Sequence, residues 1–137
     1  DLGLAVREDS ENPVYYVQYA HARICTLLKN LAADGHTVPA PDAVDFSLLT
    51  DPTELALIKQ IAGYSDIVRL AARDYDPSFI NRYLTDLAAA FHKFYNACRI
   101  KGEAEDLLNA RLLLADTARS VLKNGMELIG CSAPEKM

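Results

Sequence analysis

The stretch NPVYYVQYAHARICTLLKNLAADG, residues 12–35, decides the fold class, because it holds a helix start, an apolar stripe and a helix stop in that order. Asn12 followed by Pro13 is a capping residue with a first-turn proline, and Asp34-Gly35 ends a helix about twenty residues later. Between these signals, apolar residues recur with the helical period and share one side: Val17, Ala20, Ile24, Leu27, Leu28 and Leu31. We therefore predict a long amphipathic first helix.

The same kind of start signal, an aspartate followed by proline, recurs twice further along the chain. Asp51-Pro52 with Glu54 predicts a capping box and a helix to about residue 62. Asp76-Pro77 predicts the start of a long helix that ends at about residue 100.

The remaining segments predict more helix and one long connection. A shorter helix is expected at about residues 65–74, and the proline-containing residues 36–49 are expected to be irregular. A last helix is expected from about residue 104 to 123, where Asn124-Gly125 should break it before a short turn. No run of alternating β-branched residues predicts a strand. The chain is thus predicted to be an all-α bundle of about five to six helices, forming one domain over residues 1–137.

Composition narrows the possible functions. The net charge of −5 argues against a broad surface that neutralises nucleic-acid phosphates, so any RNA contact must be local. No apolar run is long enough to span a bilayer and no signal-peptide pattern is present, so we expect a cytoplasmic protein without a membrane partner. The cysteines and histidines lack metal-ligand spacing, and no phosphate loop or nucleophile motif occurs. We predict no metal, cofactor or catalytic residue in this chain.

Two predicted helices combine tyrosine with arginine beside their apolar stripes. Tyr16, Tyr19 and Arg23 share one face of the first helix, and Tyr95 and Arg99 lie one turn apart on the helix that follows Pro77. Unpaired RNA bases stack on tyrosine rings and guanidinium planes, and one stacked base contributes about 1–3 kcal/mol. A net acidic domain with such faces can still bind RNA.

A simpler interpretation of these faces also stands. Tyrosine at helical spacing often lies at the edge of a core with its hydroxyl bonded, and exposed arginines often form surface ion pairs. On the residues alone, two functions therefore stay open. One is an aromatic RNA-binding surface, and the other is a helical protein-interaction or structural bundle that does not bind RNA.

Three stretches resemble one family in order and spacing: NPVYYVQYAHARI (12–24), YLTDLAAAFHKFYNACRI (83–100) and ARLLLADTARSVLKNGMELIGCSAPEKM (110–137). Together they are similar to the C-terminal anticodon-binding (DALR-type) domain of bacterial arginyl-tRNA synthetases, which are class I aminoacyl-tRNA synthetases. The resemblance implies an all-helical domain that docks on the anticodon stem-loop of tRNA(Arg). It also implies a separate Rossmann-type catalytic domain that joins arginine to tRNA, with ATP and Mg bound there.

The resemblance further implies the partners and the contact residues. The expected partners are tRNA(Arg) and the catalytic domain of the same enzyme, with the protein a monomer. The candidate anticodon-binding residues are Tyr16, Tyr19, Arg23, Tyr95, Arg99 and Met137. Stacking is expected from Tyr16 and Tyr95, a phosphate or base-edge contact from Arg23, and an apolar contact from Met137 where the chain end folds back. Arg99 replaces an aromatic residue of relatives and can stack through its guanidinium. The base chiefly read in this family is the central cytosine of the anticodon.

Overall fold

Helices account for most of residues 13–137, the part of the chain that the computed structural model describes. In chain order they are α1 (Pro13–Ala33), α2 (Pro52–Ala62), α3 (Tyr64–Asp74), α4 (Ser78–Ala97) and α5 (Glu105–Leu128). Two short 3-10 turns, Pro41–Ala43 and Phe46–Leu48, lie between α1 and α2. Because no strand occurs within these residues, the prediction of an all-α bundle of about five to six helices is confirmed.

The predicted start signals lie at the starts of the described helices α2 and α4. Asp51 accepts a hydrogen bond from the backbone nitrogen of Thr53 (2.9 Å), and Glu54 accepts one from the backbone nitrogen of Asp51 (3.0 Å). This reciprocal pair is the predicted capping box of α2. At the start of α4, Asp76 accepts a hydrogen bond from the backbone nitrogen of Ser78 (3.0 Å). The cap predicted at Asn12 lies outside the described residues.

The prediction that the helix from Pro77 ends at about residue 100 is wrong by a few residues, because α4 ends at Ala97. Cys98 already has an extended backbone, with φ −122° and ψ 119°. Alternate residues of an extended segment point to opposite sides, and here Cys98 and Ile100 are both buried. Arg99 therefore points away from the core and does not continue the α4 face that carries Tyr95.

The predicted break at Asn124-Gly125 is also wrong, because α5 continues through these residues to Leu128. Gly125 is buried, and a Cβ atom at this position would lie only 2.5 Å from Cδ2 of Leu84 on α4. The absence of a side chain thus allows α5 to pack closely on α4, instead of marking a turn. The helix stops a few residues later, before Gly130 with its positive φ of 76°.

Helix α4 is the centre of the bundle and contacts each of the other four described helices. Its predicted apolar stripe is buried throughout: Ile80, Leu84, Leu87, Phe91, Phe94 and Cys98. The predicted stripe of α1 is buried at Val17, Ala20, Ile24 and Leu31, with Leu27 and Leu28 half-buried. Helix α1 packs against both α4 and α5, so residues of α4 that border its apolar stripe face α1.

Arg111 of α5 forms a buried ion pair that ties three parts of the bundle together. Its Nε donates to the carboxylate of Glu54 over 2.7 Å, and Glu54 is only 1% exposed. Its Nη1 donates to the backbone oxygen of Arg99 over 2.6 Å. One guanidinium therefore joins the first turn of α2, the segment after α4 and the first half of α5.

Candidate nucleic-acid interface

An open cleft of about 300 Å³ lies along α1, with α4 and the chain end as its other walls. It is lined by Tyr19, Ala22, Arg23, Thr26, Leu27, Asn30, Tyr95 and Met137. The set includes four of the six residues predicted from the sequence, which come from α1, α4 and the C-terminus. Residues far apart in sequence thus meet at one exposed place.

Arg23 and Tyr95 form a stacked pair across the cleft. The central carbon of the Arg23 guanidinium lies 4.6 Å from the centroid of the Tyr95 ring, which is the geometry of a cation–π contact. The Tyr95 ring also lies nearly parallel to Phe91 of the core, at 11° and 5.9 Å between centroids. Tyr95 is therefore anchored from below by the core and carries a cation on its ring.

His92 completes this group, although the sequence alone did not single it out. Its Nδ1 lies 3.2 Å from Nη1 of Arg23. A guanidinium only donates hydrogen bonds, so Nδ1 is the acceptor and the ring proton is on Nε2. Burial, together with the nearby charge of Arg23, lowers the pKa of His92 below its usual value and favours the neutral ring. The spacing of His92 three residues before Tyr95, which places both on one side of a helix, was the available sequence signal.

Tyr16 lies beside the cleft and is not part of its wall. Its half-buried ring contacts His92, with the two centroids 5.6 Å apart, and burial raises the pKa of its hydroxyl. Tyr19, one turn further along α1, is 43% exposed and lies 6.2 Å from His92. Of these two tyrosines, Tyr19 is the one with a ring available to a ligand.

Arg99 is not brought to the cleft. Its Nε lies 3.2 Å from a carboxylate oxygen of Glu103, and the side chain is 70% exposed. The extended backbone after α4 turns it away from Tyr95. The structure therefore groups Tyr19, Arg23, Tyr95 and Met137, places Tyr16 next to them and leaves Arg99 elsewhere.

The chain end folds back along α1. Nδ1 of the buried His21 donates a hydrogen bond to the backbone oxygen of Pro134 over 2.9 Å, and Nε2 of Gln18 donates to the backbone oxygen of Ser132 over 3.0 Å. These two contacts bring the last residues to the cleft, where Met137 is half exposed.

The described part of the chain contains no cluster of three or more His, Cys, Asp or Glu side chains that could hold a metal ion. Of the helices in residues 13–137, none is both long and apolar enough to cross a membrane. The three cysteines are free, with Cys98 buried and Cys25 and Cys131 half-buried.

Known proteins resemble this chain both in sequence and in fold. The arginine–tRNA ligase of Ruminiclostridium cellulolyticum is 50% identical over 137 residues, which is 100% of this chain and 24% of that protein. The arginine–tRNA ligase of Acetivibrio thermocellus is 48% identical with the same coverage. The chain thus spans about a quarter of the length of the curated relatives it matches.

A solved structure matches the fold as well. The Thermus thermophilus arginyl-tRNA synthetase superimposes with a TM-score of 0.76 and 32% identity, over 89% of this chain and 21% of that one. The model of the family described as DALR anticodon binding domain matches residues 17–137. These matches confirm the resemblance seen in the sequence, and the chain belongs to the DALR anticodon-binding domain family.

Proposed function

We propose that this domain recognises the anticodon stem-loop of tRNA(Arg), as the anticodon-binding part of an arginine–tRNA ligase. Its homology to such ligases, at up to 50% identity among the relatives compared, supports this proposal. We further propose that arginine, ATP and Mg are bound by a catalytic domain outside this chain, and that the enzyme works in the cytoplasm as a monomer. The observation that carries the proposal is the cleft in which Tyr19, Arg23 and Tyr95 meet.

The chemistry of the cleft suits unpaired nucleotides. The exposed ring of Tyr19 and the guanidinium of Arg23 are flat surfaces on which a base can stack. Asn30, at the other end of the cleft wall on α1, offers both a donor and an acceptor from its side-chain amide. The Watson–Crick edge of cytosine presents both kinds of group, so an amide in this position suits the central anticodon base.

The acidic net charge predicts how this binding should respond to salt. A domain with charge −5 cannot neutralise many phosphates, and the salt dependence of RNA affinity follows the number of phosphates neutralised. We therefore expect a shallow dependence on salt, with stacking contributing more than phosphate contacts.

The test is a fluorescence titration with the arginine anticodon stem-loop and with one whose central cytosine is replaced by uridine. We expect weaker binding of the altered loop. Truncation of a stacking platform removes about 1–3 kcal/mol, so Tyr95→Ala and Arg23→Ala should each weaken binding about tenfold. Tyr75→Ala and Arg69→Ala are matched controls, because both side chains are highly exposed and neither lines the cleft.

The alternative, a bundle whose aromatic face serves only packing, gives the opposite pattern. Because Tyr95 rests on Phe91, its loss under that alternative lowers the melting temperature and leaves any RNA affinity unchanged. Equal affinity for both stem-loops, or no binding of either, would also count against anticodon recognition.

A further inference from the structure

We infer that His92 is a positioning residue for anticodon recognition: it holds the guanidinium of Arg23 on the Tyr95 ring, so that the domain offers RNA a fixed, charged plane. The inference rests on the proposed function and adds to it a residue and a role. It changes the role expected for Tyr95, whose ring supports the cation that meets the nucleotide. The expected contact of Arg23 with a base or phosphate then starts from a preset orientation.

Arg23 is held at two points. The Tyr95 ring supports the guanidinium at 4.6 Å, and the Nδ1 atom of His92 accepts a hydrogen bond from Nη1 at 3.2 Å. A ring contact alone leaves the guanidinium free to turn in its own plane, whereas an added hydrogen bond to one nitrogen fixes its direction. The other N–H groups of Arg23 are then aimed by the pair of contacts.

The choice of a histidine as partner preserves the charge of Arg23. Five other arginines of the described residues form ion pairs with carboxylates: Arg69, Arg73, Arg99, Arg111 and Arg119. A carboxylate would hold a guanidinium equally firmly but would cancel its charge. A neutral imidazole orients Arg23 and leaves its full positive charge to attract an RNA phosphate or a base acceptor.

His92 is itself held in place. Its ring lies 5.6 Å from Tyr16, 6.2 Å from Tyr19 and 5.8 Å from Phe91, as measured between ring centroids. Contacts with three aromatic rings restrict its rotation, so the acceptor atom has a fixed position before RNA arrives. A preorganised contact loses less entropy on binding than one that forms during binding.

The same geometry makes the arrangement sensitive to pH. Within residues 13–137, the charged and titratable groups in contact with His92 are Arg23, Tyr16 and Tyr19 from α1, and none of these is a carboxylate that would stabilise a protonated ring. Burial and the charge of Arg23 lower the pKa of His92, which favours the neutral ring. Protonation at lower pH removes the Nδ1 acceptor and places two cations side by side, which releases Arg23.

Two variants separate positioning from simple packing. In His92→Asn, the side-chain oxygen takes the place of Nδ1 and can still accept from Arg23, whereas His92→Leu fills a similar space with a methyl group. Leucine has the higher helix propensity, so an effect through helix stability would favour His92→Leu. We expect His92→Asn to bind the arginine stem-loop within about twofold of the wild type, and His92→Leu to bind about tenfold more weakly.

Two further measurements complete the test. Nitrogen-15 NMR of the free protein should show an ordered Arg23 guanidinium in the wild type and in His92→Asn, and a mobile one in His92→Leu. The wild type should lose affinity as the pH is lowered from 7.5 through the depressed pKa of His92, whereas His92→Asn should lose much less. The pH comparison uses only these two proteins, so it tests the role of His92 even if His92→Leu does not fold.

The outcomes distinguish this inference from the proposed function. If the wild type discriminates the central base but His92→Leu binds equally well, or if both proteins lose affinity equally on acidification, the role of His92 is overturned while anticodon recognition stands. If the wild type binds no stem-loop, the proposed function fails. The NMR measurement on the free proteins then still tests whether His92 positions Arg23. That role is overturned if the Arg23 guanidinium is equally ordered in all three proteins.

Discussion

Replacing Gly125 by alanine should destabilise the domain, although the same change in an ordinary helix is stabilising. In a helix interior, alanine is favoured over glycine by about 1 kcal/mol. At Gly125, however, the new Cβ would lie 2.5 Å from Cδ2, 3.2 Å from Cγ and 3.3 Å from Cδ1 of Leu84. Leu84 is 1% exposed, so it has no free space into which it can move.

The size of the effect follows from these two opposing contributions. Overpacking a core by one methyl group costs about 1–3 kcal/mol, and the three short distances place this site toward the upper end. After the gain in helix propensity is subtracted, we expect the free energy of unfolding to fall by about 1–2 kcal/mol. For a domain of this size, that corresponds to a melting temperature lower by about 3–8 °C.

Gly63→Ala is the matched control, because it makes the same chemical change without a clash. Gly63 has an ordinary helical backbone, and a Cβ there would meet only the backbone oxygens of Gln60 and Lys59, at 3.6 and 3.8 Å. Its substitution should be neutral or stabilising by up to about 1 kcal/mol.

Urea and thermal unfolding monitored by circular dichroism will compare the two variants. The double variant Leu84→Val/Gly125→Ala should recover part of the loss, since valine has a shorter side chain and the two sites are in direct contact. Stem-loop affinity should hardly change, because neither Leu84 nor Gly125 lines the cleft. If Gly125→Ala is stabilised as much as Gly63→Ala, this prediction is refuted. Leu84 would then not occupy the space beside Gly125, and close packing of α5 on α4 would not require a glycine there.

Three further predictions concern the buried ion pair of Arg111, the two histidines whose pKa is lowered, and Arg99. Arg111→Met leaves the Glu54 carboxylate buried without its cation and should lower the free energy of unfolding, measured by urea denaturation, by about 3–5 kcal/mol. A loss below about 1 kcal/mol would contradict a stabilising role of this ion pair. Burial lowers the pKa of both His21 and His92 in the folded state, so below about pH 6.5 the unfolded chain binds more protons than the folded one. The melting temperature should therefore fall from about pH 7.5 to 5.5. A melting temperature that does not change over this range would contradict the prediction. Arg99→Ala should change stem-loop affinity less than about twofold, because Arg99 does not line the cleft and its surface ion pair with Glu103 contributes little to stability; a tenfold loss in the titration would place Arg99 in the interface.

The sequence predicted those features that depend on residues close together in the chain. The capping box of Asp51 and Glu54 acts across three residues, so its pattern is complete in the sequence and appears in the structure as predicted. The same holds for the buried stripe of α4 and for the shared face of Tyr19 and Arg23, because helical geometry alone decides which nearby residues lie on one side.

The errors occurred where a local signal had two possible meanings. A glycine near a helix end favours a stop, yet Gly125 lies within α5 because Leu84 of another helix requires the space. Arg99 continues the helical spacing of Tyr95, yet burial of Cys98 and Ile100 pulls the backbone into an extended form and turns Arg99 outward. In both cases, packing against distant residues outweighed local propensity.

The sequence by itself therefore determined the class of the fold, the starts of the helices α2 and α4, and the chemical types gathered on each helix face. Tertiary structure alone decided which faces meet: His92 with Arg23, Arg111 with Glu54, and the chain end with His21. The physical reason is the separation along the chain over which each kind of interaction acts. Capping bonds and helical periodicity act within a few residues, whereas the partners of a guanidinium or an imidazole are set by how whole helices pack to bury their apolar stripes.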